Sequence, residues 1–548
     1  MGISSFDLVL DAGRLQHSLG REDRLGPPSS HFGGSSRSSL PFNLLALGSP
    51  HLMKGLICLR ICLFGFAVSA ASLFASDRPN ILLILADDLG QGDLSVNNPE
   101  SKIPTPHLDQ LAAEGMNFMD AHSPSGVCTP TRYGVLTGRY AWRSSLKRGV
   151  LSMGSPPLIE RERLTIPAML QNFGYASASV GKWHLGEQWA LKDPSGKQEP
   201  ENIDWSAPAV YCALDAGFTY YFGLSRPAWG FMENRMVLIE PSEPFDLTHI
   251  PSKIIGGNND SGFRSPGFTF EQMIPAWVEK TKAFIERNAE SDTPFFAYFA
   301  PICPHRPINP NQQFIGKSEC GVFGDFVVEL DDAVGELLDA LEENGVGDDT
   351  LVIFTADNGA ETNTYDHIQE YDHWSSNGRR GAKRDLYEGG HRVPFIARWR
   401  DQIPAGSQSN EVICLTDIMA TIADIVDYDL PSGSAEDSYS ILPVLKGEQL
   451  NERIREAIVH HSARGNFAIR MGDWVYIDGP NGADNAEPKP VLVALGVNDD
   501  NESAELYNLR EDPKQTTNLY RKHPEKSVTL KELLDKYRTQ SSSLPIPR

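Results

Sequence analysis

The sequence predicts an α/β fold, in which helices cover both faces of a mostly parallel sheet, followed by a smaller C-terminal domain. Short, continuous apolar runs alternate with helical periods from Asn80 onward. This alternation is typical of parallel sheets that are buried on both faces. The composition changes beyond about residue 430, which indicates the second domain, and no solenoid-length repeat is present.

The first half of the sheet domain is predicted to contain two strands and two helices. The run 81–86 is apolar throughout, which favours a buried strand. A helix is predicted over 105–115, because it opens on Thr105 as an N-cap with proline in the first turn and closes on glycine. A second helix is predicted over 165–174, with the next strand over 175–180.

The second half repeats the pattern. Apolar runs at 294–299 and 350–356 predict two more strands. Between them a helix is predicted to end near Gly345, because apolar residues recur at helical spacing. These residues are Val327, Leu330, Val334, Leu337 and Leu341.

Residues 431–548 are predicted to form the smaller domain. The loop 430–434 contains proline, glycine and serine, and the stretch 478–501 is acidic and rich in glycine and asparagine. Residues 528–537 predict a terminal amphipathic helix. The catalytic candidate residues described below all precede this region.

The N-terminal region predicts export. Met53-Lys54 and Arg60 precede the apolar run 61–68 and small residues through Ala75, which is the order of a secretory signal peptide over 53–75. The run is too short for a comfortable membrane span, so no stable membrane insertion is expected and the destination is secreted or periplasmic. Residues 1–52 are then a mis-called start or a disordered extension. The alternative is a disordered tail before an uncleaved anchor.

Composition and charge narrow the class of protein. With 40% hydrophobic and 22% charged residues, the 548-residue chain has the composition of a globular protein. Its formal charge of −23 at pH 7 disfavours nucleic acid as a partner. The same field repels an anionic substrate, so any such substrate requires a local cluster of basic side chains or a metal.

Seven cysteines are present, and export affects how they are interpreted. Cys58 and Cys62 would leave with the signal peptide, and Cys128 is a candidate for chemistry. The other four allow three complete disulfide pairings, between which the sequence does not decide. They are Cys212, Cys303, Cys320 and Cys414.

Acidic pairs follow two of the predicted buried strands. Asp87 and Asp88 follow the first strand, and Asp357 and Asn358 follow the strand 350–356. Ligands bind beyond the carboxyl ends of strands in open α/β sheets, so both pairs are expected at one crevice. An all-oxygen donor set suits Ca²⁺, or Mg²⁺, better than Zn²⁺. The alternative is that each pair only caps the helix or turn that follows it.

Between these strands lies a cysteine with the features of a reactive thiol. Pro130 suits the first turn of a helix, which places Cys128 at the helix N-terminus. The helix dipole and Arg132 would both favour an anion there. A buried structural cysteine is the alternative, and the residues alone leave both interpretations open.

The segment Cys128-Thr129-Pro130-Thr131-Arg132 resembles the Cys-x-Pro-x-Arg signature of the sulfatase family, and the resemblance extends over nearly the whole chain after residue 77. Its other pieces are Arg78-Pro79-Asn80, Gly174-Tyr175 leading to Gly181-Lys182-Trp183-His184-Leu185-Gly186, Pro304-His305-Arg306-Pro307, Glu388-Gly389-Gly390-His391-Arg392-Val393-Pro394, Glu505-Leu506-Tyr507-Asn508-Leu509 and Asp512-Pro513.

The resemblance implies an alkaline-phosphatase-like fold. It implies a catalytic domain over 77–430 with a large, mostly parallel or mixed sheet between helices. It also implies an α+β domain with an antiparallel sheet over 431–548. Members of the sulfatase family hydrolyse sulfate esters with a formylglycine made from the signature cysteine. The resemblance therefore implies a formylglycine-generating or related maturation enzyme as a partner.

The resemblance also implies the site residues. Those that would bind Ca²⁺ are Asp87, Asp88, Cys128 as formylglycine, Asp357 and Asn358. Arg132 would hold the formylglycine, and the residues that would surround the sulfate are Lys182, His184, His305 and Lys383. In that scheme His305 with Lys383 protonates the leaving oxygen, and His184 takes a proton from the second hydroxyl of the hydrated aldehyde.

One position departs from the family pattern. Pro227 stands roughly where many arylsulfatases carry a serine after a Phe-Gly segment. Ser225 is a substitute, or the role is absent, and neither residue is included in the predicted site.

Three hypotheses about the function remain to be tested. The leading hypothesis is hydrolysis of a sulfated small molecule, glycan or polysaccharide. A phosphodiesterase or phosphonate ester hydrolase would use the same nucleophile, and a non-catalytic glycan-binding relative would be expected to lack it. Specificity is expected on the loops 187–235, 240–272 and 361–382 and on the C-terminal acidic segment. Three tryptophans there are candidates for stacking on sugar rings or for packing: Trp189, Trp229 and Trp374.

Overall fold

The computed structural model describes residues 78–152, 154–248, 250–251, 254, 262–498 and 502–544. The predicted extension 1–52, the signal peptide 53–75 and its two cysteines lie outside the described residues and stay predictions. No helix within the described part of the chain is long and apolar enough to cross a membrane.

Within these ranges the structure has one large mixed sheet, one smaller antiparallel sheet and two strand pairs. The strands are β1 Asn80–Ala86, β2 Met116–Phe118, β3 Ala121–His122, β4 Ala176–Gly181, β5 Tyr220–Leu224, β6 Phe231–Glu233, β7 Met236–Val237, β8 Glu243–Phe245, β9 Gly262–Arg264, β10 Phe295–Ala300, β11 Thr350–Ala356, β12 Phe395–Arg398, β13 Ser407–Ser409, β14 Ile413–Cys414, β15 Ile458–His461, β16 Phe467–Met471, β17 Trp474–Ile477 and β18 Glu505–Asn508.

The large sheet has the order β13-β2-β12-β11-β1-β10-β4-β5-β6-β7 among the described strands. The five central strands from β11 to β5 run parallel. Antiparallel pairings join β12 to β11 on one side and β6 to β5 on the other. The central strands are buried along almost their whole length, as expected for a sheet covered on both faces.

Helices flank this sheet and the smaller one. Their bounds are Pro106–Glu114, Cys128–Thr137, Ile166–Gln171, Met273–Glu290, Gly321–Glu343, Thr364–Tyr371, Glu388–His391, Asp417–Ile425, Leu442–Leu445, Lys489–Leu495 and Pro524–Thr539. Short 3₁₀ helices lie at Gln91–Asp93, Ala141–Arg143, Ala213–Ala216, Phe270–Gln272 and Gln312–Phe314.

The predicted elements of the sheet domain are confirmed, with small shifts at their ends. The helix predicted over 105–115 is Pro106–Glu114, and Thr350–Ala356 is a strand as predicted. The helix predicted to end near Gly345 begins at Gly321, earlier than its apolar pattern indicated. Its first turns carry Asp325, whose carboxylate accepts hydrogen bonds from two backbone N–H groups of the preceding loop. A contact of this kind between a loop and a helix leaves no periodic pattern in the sequence.

A four-stranded antiparallel sheet, β15-β16-β17-β18, lies near the C-terminus of the described chain. The terminal helix Pro524–Thr539 packs its Leu530 and Leu534 into the apolar cluster of this sheet. Ile441 and Leu445, by contrast, belong to the apolar cluster of the large sheet. The division of the chain at residue 430 stays a prediction.

The five cysteines among the described residues are free thiols, and all are buried. The three pairings that the sequence left open are therefore not formed in this structure. Burial raises the pKa of Cys303 well above its usual value and that of Cys212 to about 11. These thiols are consequently protonated and unreactive at neutral pH.

A buried ion pair ties the C-terminal helix to the segment that follows the signature helix. Asp437 is fully buried and accepts hydrogen bonds from Arg143 Nε and from the backbone N–H of Tyr140, at 2.8 and 2.9 Å. Arg143 also donates to the backbone carbonyl of Tyr537 in the terminal helix, at 3.0 Å. Removal of Asp437 would leave a buried guanidinium without its carboxylate.

Asp437→Ala is expected to lower the free energy of unfolding by about 3–5 kcal/mol, because breaking a buried ion pair leaves an uncompensated charge. Urea denaturation at neutral pH measures this loss. Asp348→Ala is the matched control, since Asp348 is exposed and its partner Arg400 remains paired with Glu342. The control is expected to cost less than about 1 kcal/mol. Equal losses for the two variants would contradict the prediction.

Candidate active site

The two acidic pairs lie side by side at the carboxyl edge of the large sheet. Strands β1 and β11 are parallel neighbours whose last residues, Ala86 and Ala356, face each other in register. The residues that follow each strand therefore meet at one point, as predicted for the ends of parallel strands. Asp87, Asp88, Asp357 and Asn358 are all buried there.

Asp88 is held by basic and amide side chains. Its backbone has a positive φ of 64°, a conformation that aspartate tolerates better than most residues. Lys383 Nζ lies 2.7 Å from one of its carboxylate oxygens, and Asn358 Nδ2 donates to the same oxygen at 2.7 Å. The carboxylate caps no helix, so the capping alternative is wrong for this residue.

Asp357 is bound by the arginine of the signature segment. Arg132 donates from Nε and from a terminal nitrogen to Asp357 Oδ2, at 3.0 and 2.8 Å. The backbone N–H of Asp88 donates to Asp357 Oδ1 at 3.2 Å. Burial and the nearby charge of Asp87 raise the pKa of Asp357. Burial alone would lower the pKa of Arg132, but the facing carboxylate of Asp357 outweighs it and raises that pKa, so Arg132 stays protonated.

Asp87 lies between two cations. Lys182 Nζ forms an ion pair with Asp87 Oδ2, and Arg132 approaches the same oxygen at 3.4 Å. Burial alone would raise the pKa of Asp87, but Lys182, His305 and Arg132 outweigh it and hold that pKa below its usual range. The convergent carboxylates are thus balanced by basic side chains.

The arrangement fits a hard divalent cation. Asp87 Oδ1 and Asn358 Oδ1 are buried, and neither has a hydrogen-bond partner among the described residues. Possible ligand atoms of Asp87, Cys128 and Asp357 all lie within 4.8 Å of one another. Unsatisfied acceptor oxygens in a buried site are costly, and coordination of Ca²⁺ or Mg²⁺ would satisfy them.

Cys128 is the first residue of the helix Cys128–Thr137 and faces His184. Its Sγ lies 3.3 Å from His184 Nδ1. His184 Nε2 contacts the carbonyl oxygen of Leu151 at 2.9 Å, so Nε2 carries the proton and Nδ1 accepts from Cys128. Burial and Lys182 lower the pKa of His184 to about 3. The ring is therefore neutral and able to accept a proton.

His305 lies on the other side of the site. Its Nδ1 contacts the carbonyl oxygen of Arg306 at 2.5 Å, and its Nε2 lies 3.8 Å from Asp88 Oδ2. Loss of solvation and the charge of Lys182 lower the pKa of His305 to about 4. Burial alone would lower the pKa of Lys383. The nearby carboxylate of Asp88 outweighs this effect and raises that pKa above its usual value. Lys383 therefore stays protonated at neutral pH.

The structure brings all the predicted site residues into one connected set of contacts. The set comprises Asp87, Asp88, Cys128, Arg132, Lys182, His184, His305, Asp357, Asn358 and Lys383. Arg132 donates hydrogen bonds to Asp357 and to the carbonyl of Lys182, and its predicted role towards formylglycine stays a prediction.

The site opens into a pocket of about 610 Å³. Charged residues without an assigned role also line it: Glu187, Arg226, Arg306, Glu361 and Arg384. Arg306 lies within a segment of the family resemblance and Glu361 begins the predicted specificity loop 361–382, but neither pattern distinguishes a pocket residue from a surface one. Arg384 and Glu361 form an ion pair at 2.5 Å, which takes up both charges.

The three tryptophans have different surroundings. Trp229 lines the pocket, whereas Trp189 is buried against Trp205 at 4.9 Å between ring centroids. Trp374 packs beside an apolar cluster outside the pocket. Ser225 is fully buried and does not line the pocket.

A group of three histidines lies behind the signature segment. His122, His391 and His460 are buried close together. However, the rings of His391 and His460 are stacked at 3.7 Å with 12° between their planes. Stacked rings direct their nitrogen lone pairs in parallel rather than towards one ion, so the group does not suit tetrahedral coordination. It instead supports the strand pair that leads to Cys128.

Comparison with known proteins gives consistent matches. The family model Sulfatase matches residues 79–428. An N-acetylgalactosamine-6-O-sulfatase of Bacteroides thetaiotaomicron is 32% identical over 504 residues, covering 85% of this chain and 94% of the relative. Arylsulfatase A of Homo sapiens is 32% identical over 465 residues, covering 82% and 85%. A structure solved in work on the metabolism of multiple glycosaminoglycans by Bacteroides thetaiotaomicron has a TM-score of 0.72 at 29% identity, covering 85% of this chain and all of the other.

Proposed function

The chain belongs to the sulfatase family, with its alkaline-phosphatase-like fold, and we propose that it hydrolyses sulfate esters of a glycan through a formylglycine made from Cys128. Sulfate ester hydrolysis follows from the family. The observation that carries the finer proposal is the position of Cys128 at a helix N-terminus, 3.3 Å from a neutral His184. The buried carboxylates of Asp87 and Asp357 lie beside it, and Lys182 and Lys383 line the same pocket as Cys128.

Two groups would complete this site. Ca²⁺, or Mg²⁺, held by Asp87, Asp88, Asp357, Asn358 and residue 128, would supply a Lewis acid for the sulfuryl oxygens. The aldehyde of formylglycine, when hydrated, would supply two hydroxyls on one carbon, one for attack on sulfur and one for release of sulfate. An unmodified thiol lacks the second hydroxyl.

Lys182 and Lys383 bind and orient the sulfate. Each ammonium group contacts an aspartate of the cluster, and each lines the pocket. Cations fixed in a water-poor site stabilise the charge that develops on the transferring group more strongly than they would in water. They also provide the local attraction that an acidic chain requires.

His184 is the proposed base for release of sulfate. Its Nδ1 faces the side chain of residue 128, and its Nε2 is fixed on Leu151. Because its pKa is held at about 3, the ring stays neutral across the physiological range. Nδ1 is therefore unprotonated and lies within reach of a hydroxyl on residue 128, from which it would take the proton.

His305 is the proposed donor of a proton to the leaving oxygen. With a pKa of about 4 in the free protein, its protonated fraction falls as pH rises above 4. We therefore expect kcat/KM for phenyl sulfate, which needs protonation of its leaving group, to fall with increasing pH above that value. His305→Gln is expected to lower kcat for phenyl sulfate by about 10²–10⁴-fold and to remove this pH dependence.

4-Nitrophenyl sulfate provides the matched comparison, because its better leaving group needs less help from an acid. The loss of kcat in His305→Gln is expected to be at least about tenfold smaller with this substrate. Steady-state kinetics at several pH values measure both losses. Equal losses for the two esters would assign His305 a positioning role and leave Lys383 as the donor.

Two measurements on one preparation test the proposed function. Peptide mass spectrometry would detect conversion of the Cys128 thiol to an aldehyde, and turnover of aryl sulfate and aryl phosphate esters would be compared. We expect conversion together with a preference for sulfate. Preference for a phosphate diester would favour the phosphodiesterase alternative, and an unmodified Cys128 from a host that carries the maturation enzyme would contradict the mechanism.

A sulfated glycan is proposed as the substrate class. One relative is named for N-acetylgalactosamine 6-O-sulfate, and the solved relative comes from work on glycosaminoglycans. Trp229 lines the pocket, and an aromatic side chain there suits a sugar ring. The proposal also includes export of the protein and a maturation enzyme as its partner.

A further inference from the structure

We propose that Glu187 determines specificity in this pocket, by accepting a hydrogen bond from a hydroxyl or amide N–H of the sugar that carries the sulfate ester. The inference rests on the proposed function and concerns the part of the pocket that binds the leaving group. Glu187 directly follows Gly186, at the end of the segment that carries Lys182 and His184. It lines the same pocket as these two residues and Cys128.

Only one of the two carboxyl oxygens of Glu187 has a hydrogen-bond partner among the described residues. Tyr221, which is fully buried in β5, donates from its hydroxyl to Glu187 Oε1 at 2.9 Å. Glu187 Oε2 is buried and has no hydrogen-bond partner among the described residues. The glutamate as a whole is only 8% exposed. One oxygen is therefore fixed by the protein, and the other is left for a ligand.

Leaving this oxygen unsatisfied has a cost. A buried polar group without a partner destabilises the protein, and more so when it is charged. Burial also raises the pKa of Glu187 to about 8, against the opposing effect of Tyr221 and Arg226, and a hydrogen bond donated to Oε2 by a ligand would lower that pKa and favour the ionised, accepting form. A hydrophobic residue of similar size would avoid both penalties. A hydrogen bond from a bound ligand offsets them.

The surroundings of Glu187 suit a pyranose. Trp229 and Leu224 line the same pocket as Glu187, and Arg226 lies over the Trp229 ring at 4.0 Å. A sugar presents an apolar C–H face and a polar edge of hydroxyl or amide groups. A pocket lined by apolar side chains and by one carboxyl oxygen without a partner among the described residues offers contacts for both.

The opposite side of β5 provides a matched control. Tyr220 donates to Glu233 Oε1 at 2.6 Å, so a tyrosine–glutamate pair also exists one residue away. Glu233 does not line the pocket. Glu187→Leu and Glu233→Leu each remove a tyrosine–glutamate hydrogen bond, and only the first removes a carboxyl from the pocket. Glu233 is more exposed than Glu187 and is also paired with Lys280, at 3.0 Å.

Binding measurements test the inference without reliance on turnover. Titration calorimetry would be carried out in the Cys128→Ala background, with N-acetylgalactosamine 6-sulfate, galactose 6-sulfate and inorganic sulfate as probes. Glu187→Leu is expected to weaken binding of a sugar sulfate by about 10–100-fold, and to change the affinity for inorganic sulfate at least tenfold less. Glu187→Gln, which keeps an acceptor oxygen, is expected to recover most of the loss. Glu233→Leu is expected to show no such discrimination.

The outcomes distinguish failure of the inference about Glu187 from failure of the proposed function. Loss confined to the N-acetylated probe would identify the amide as the donor, and equal loss for both sugars would identify a hydroxyl. Equal weakening for sugar sulfates and inorganic sulfate would overturn the inference, as would the same discrimination in Glu233→Leu. Failure of the matured protein to hydrolyse sulfate esters would overturn the proposed function instead, while these binding ratios would still decide the role of Glu187.

Discussion

Cys128→Ala is expected to reduce turnover of aryl sulfates by at least about 10⁴-fold, because it removes the atom from which the nucleophile is made. The fold should survive the change. Cys128 is buried at the start of its helix, and alanine is a favourable helix residue. In the unsubstituted protein, activity is expected to rise in proportion to the fraction of Cys128 that has been converted to the aldehyde. Mass spectrometry and kinetics on fractions of differing conversion measure that relation.

Cys414→Ala is the matched control for this prediction. Cys414 is also a buried free thiol, but it lies in the apolar cluster of the small sheet and does not line the pocket. Its replacement is expected to cost stability and to leave turnover within about threefold of the parent protein. If Cys128→Ala retained activity comparable with Cys414→Ala, the nucleophile would have to be another group.

The central sheet could be predicted because its strands carry their own signal. The runs at β1, β10 and β11 are apolar throughout, since both faces are covered, and each was located to within one residue. The short strands β6, β12 and β13 gave no such signal. They are only three or four residues long, and β12 and β13 owe their place to pairing with β2, which is distant in sequence.

The part of the candidate site that could be predicted is the part that follows from the direction of neighbouring strands. Because β1 and β11 are parallel neighbours, their final residues had to meet, and the acidic pairs after them followed. Lys383 had no such signal and depended on the family resemblance. Its backbone N–H donates to the carbonyl of Ala360, at 2.8 Å, so only the folded loop brings it to Asp88. Glu187 was missed for the same reason, because its partner Tyr221 lies 34 residues away.

The charges of the site explain how an acidic chain could attract an anion. Three carboxylates, those of Asp87, Asp88 and Asp357, face three cations. A bound divalent cation would leave an excess of positive charge at the base of the pocket. Such a local excess outweighs the distant negative field, which salt screens beyond about 8–10 Å. The cations are Arg132, Lys182 and Lys383.

Asp357→Asn is expected to lower kcat/KM for aryl sulfates by at least about 10³-fold, because it removes one of the three carboxylates around the proposed cation. Asparagine keeps the shape of the side chain and one oxygen for Arg132, so the protein should fold. Ca²⁺ is expected to raise the Tm of the parent protein and a chelator to lower it. The Tm of Asp357→Asn should show little response to either addition. Thermal unfolding with and without Ca²⁺ measures this response separately from activity.

Glu361→Gln distinguishes loss of a ligand from a general loss of negative charge. Glu361 also lines the pocket and lies 3.9 Å from Lys383, but its carboxylate is paired with Arg384 and is not in the proposed ligand set. The Ca²⁺-dependent rise in Tm is therefore expected to persist in Glu361→Gln. If both variants lost the response equally, the cation would be held by the overall charge of the pocket. If Asp357→Asn kept the full response, the cation would bind elsewhere, and the unsatisfied oxygens of Asp87 and Asn358 would need another partner.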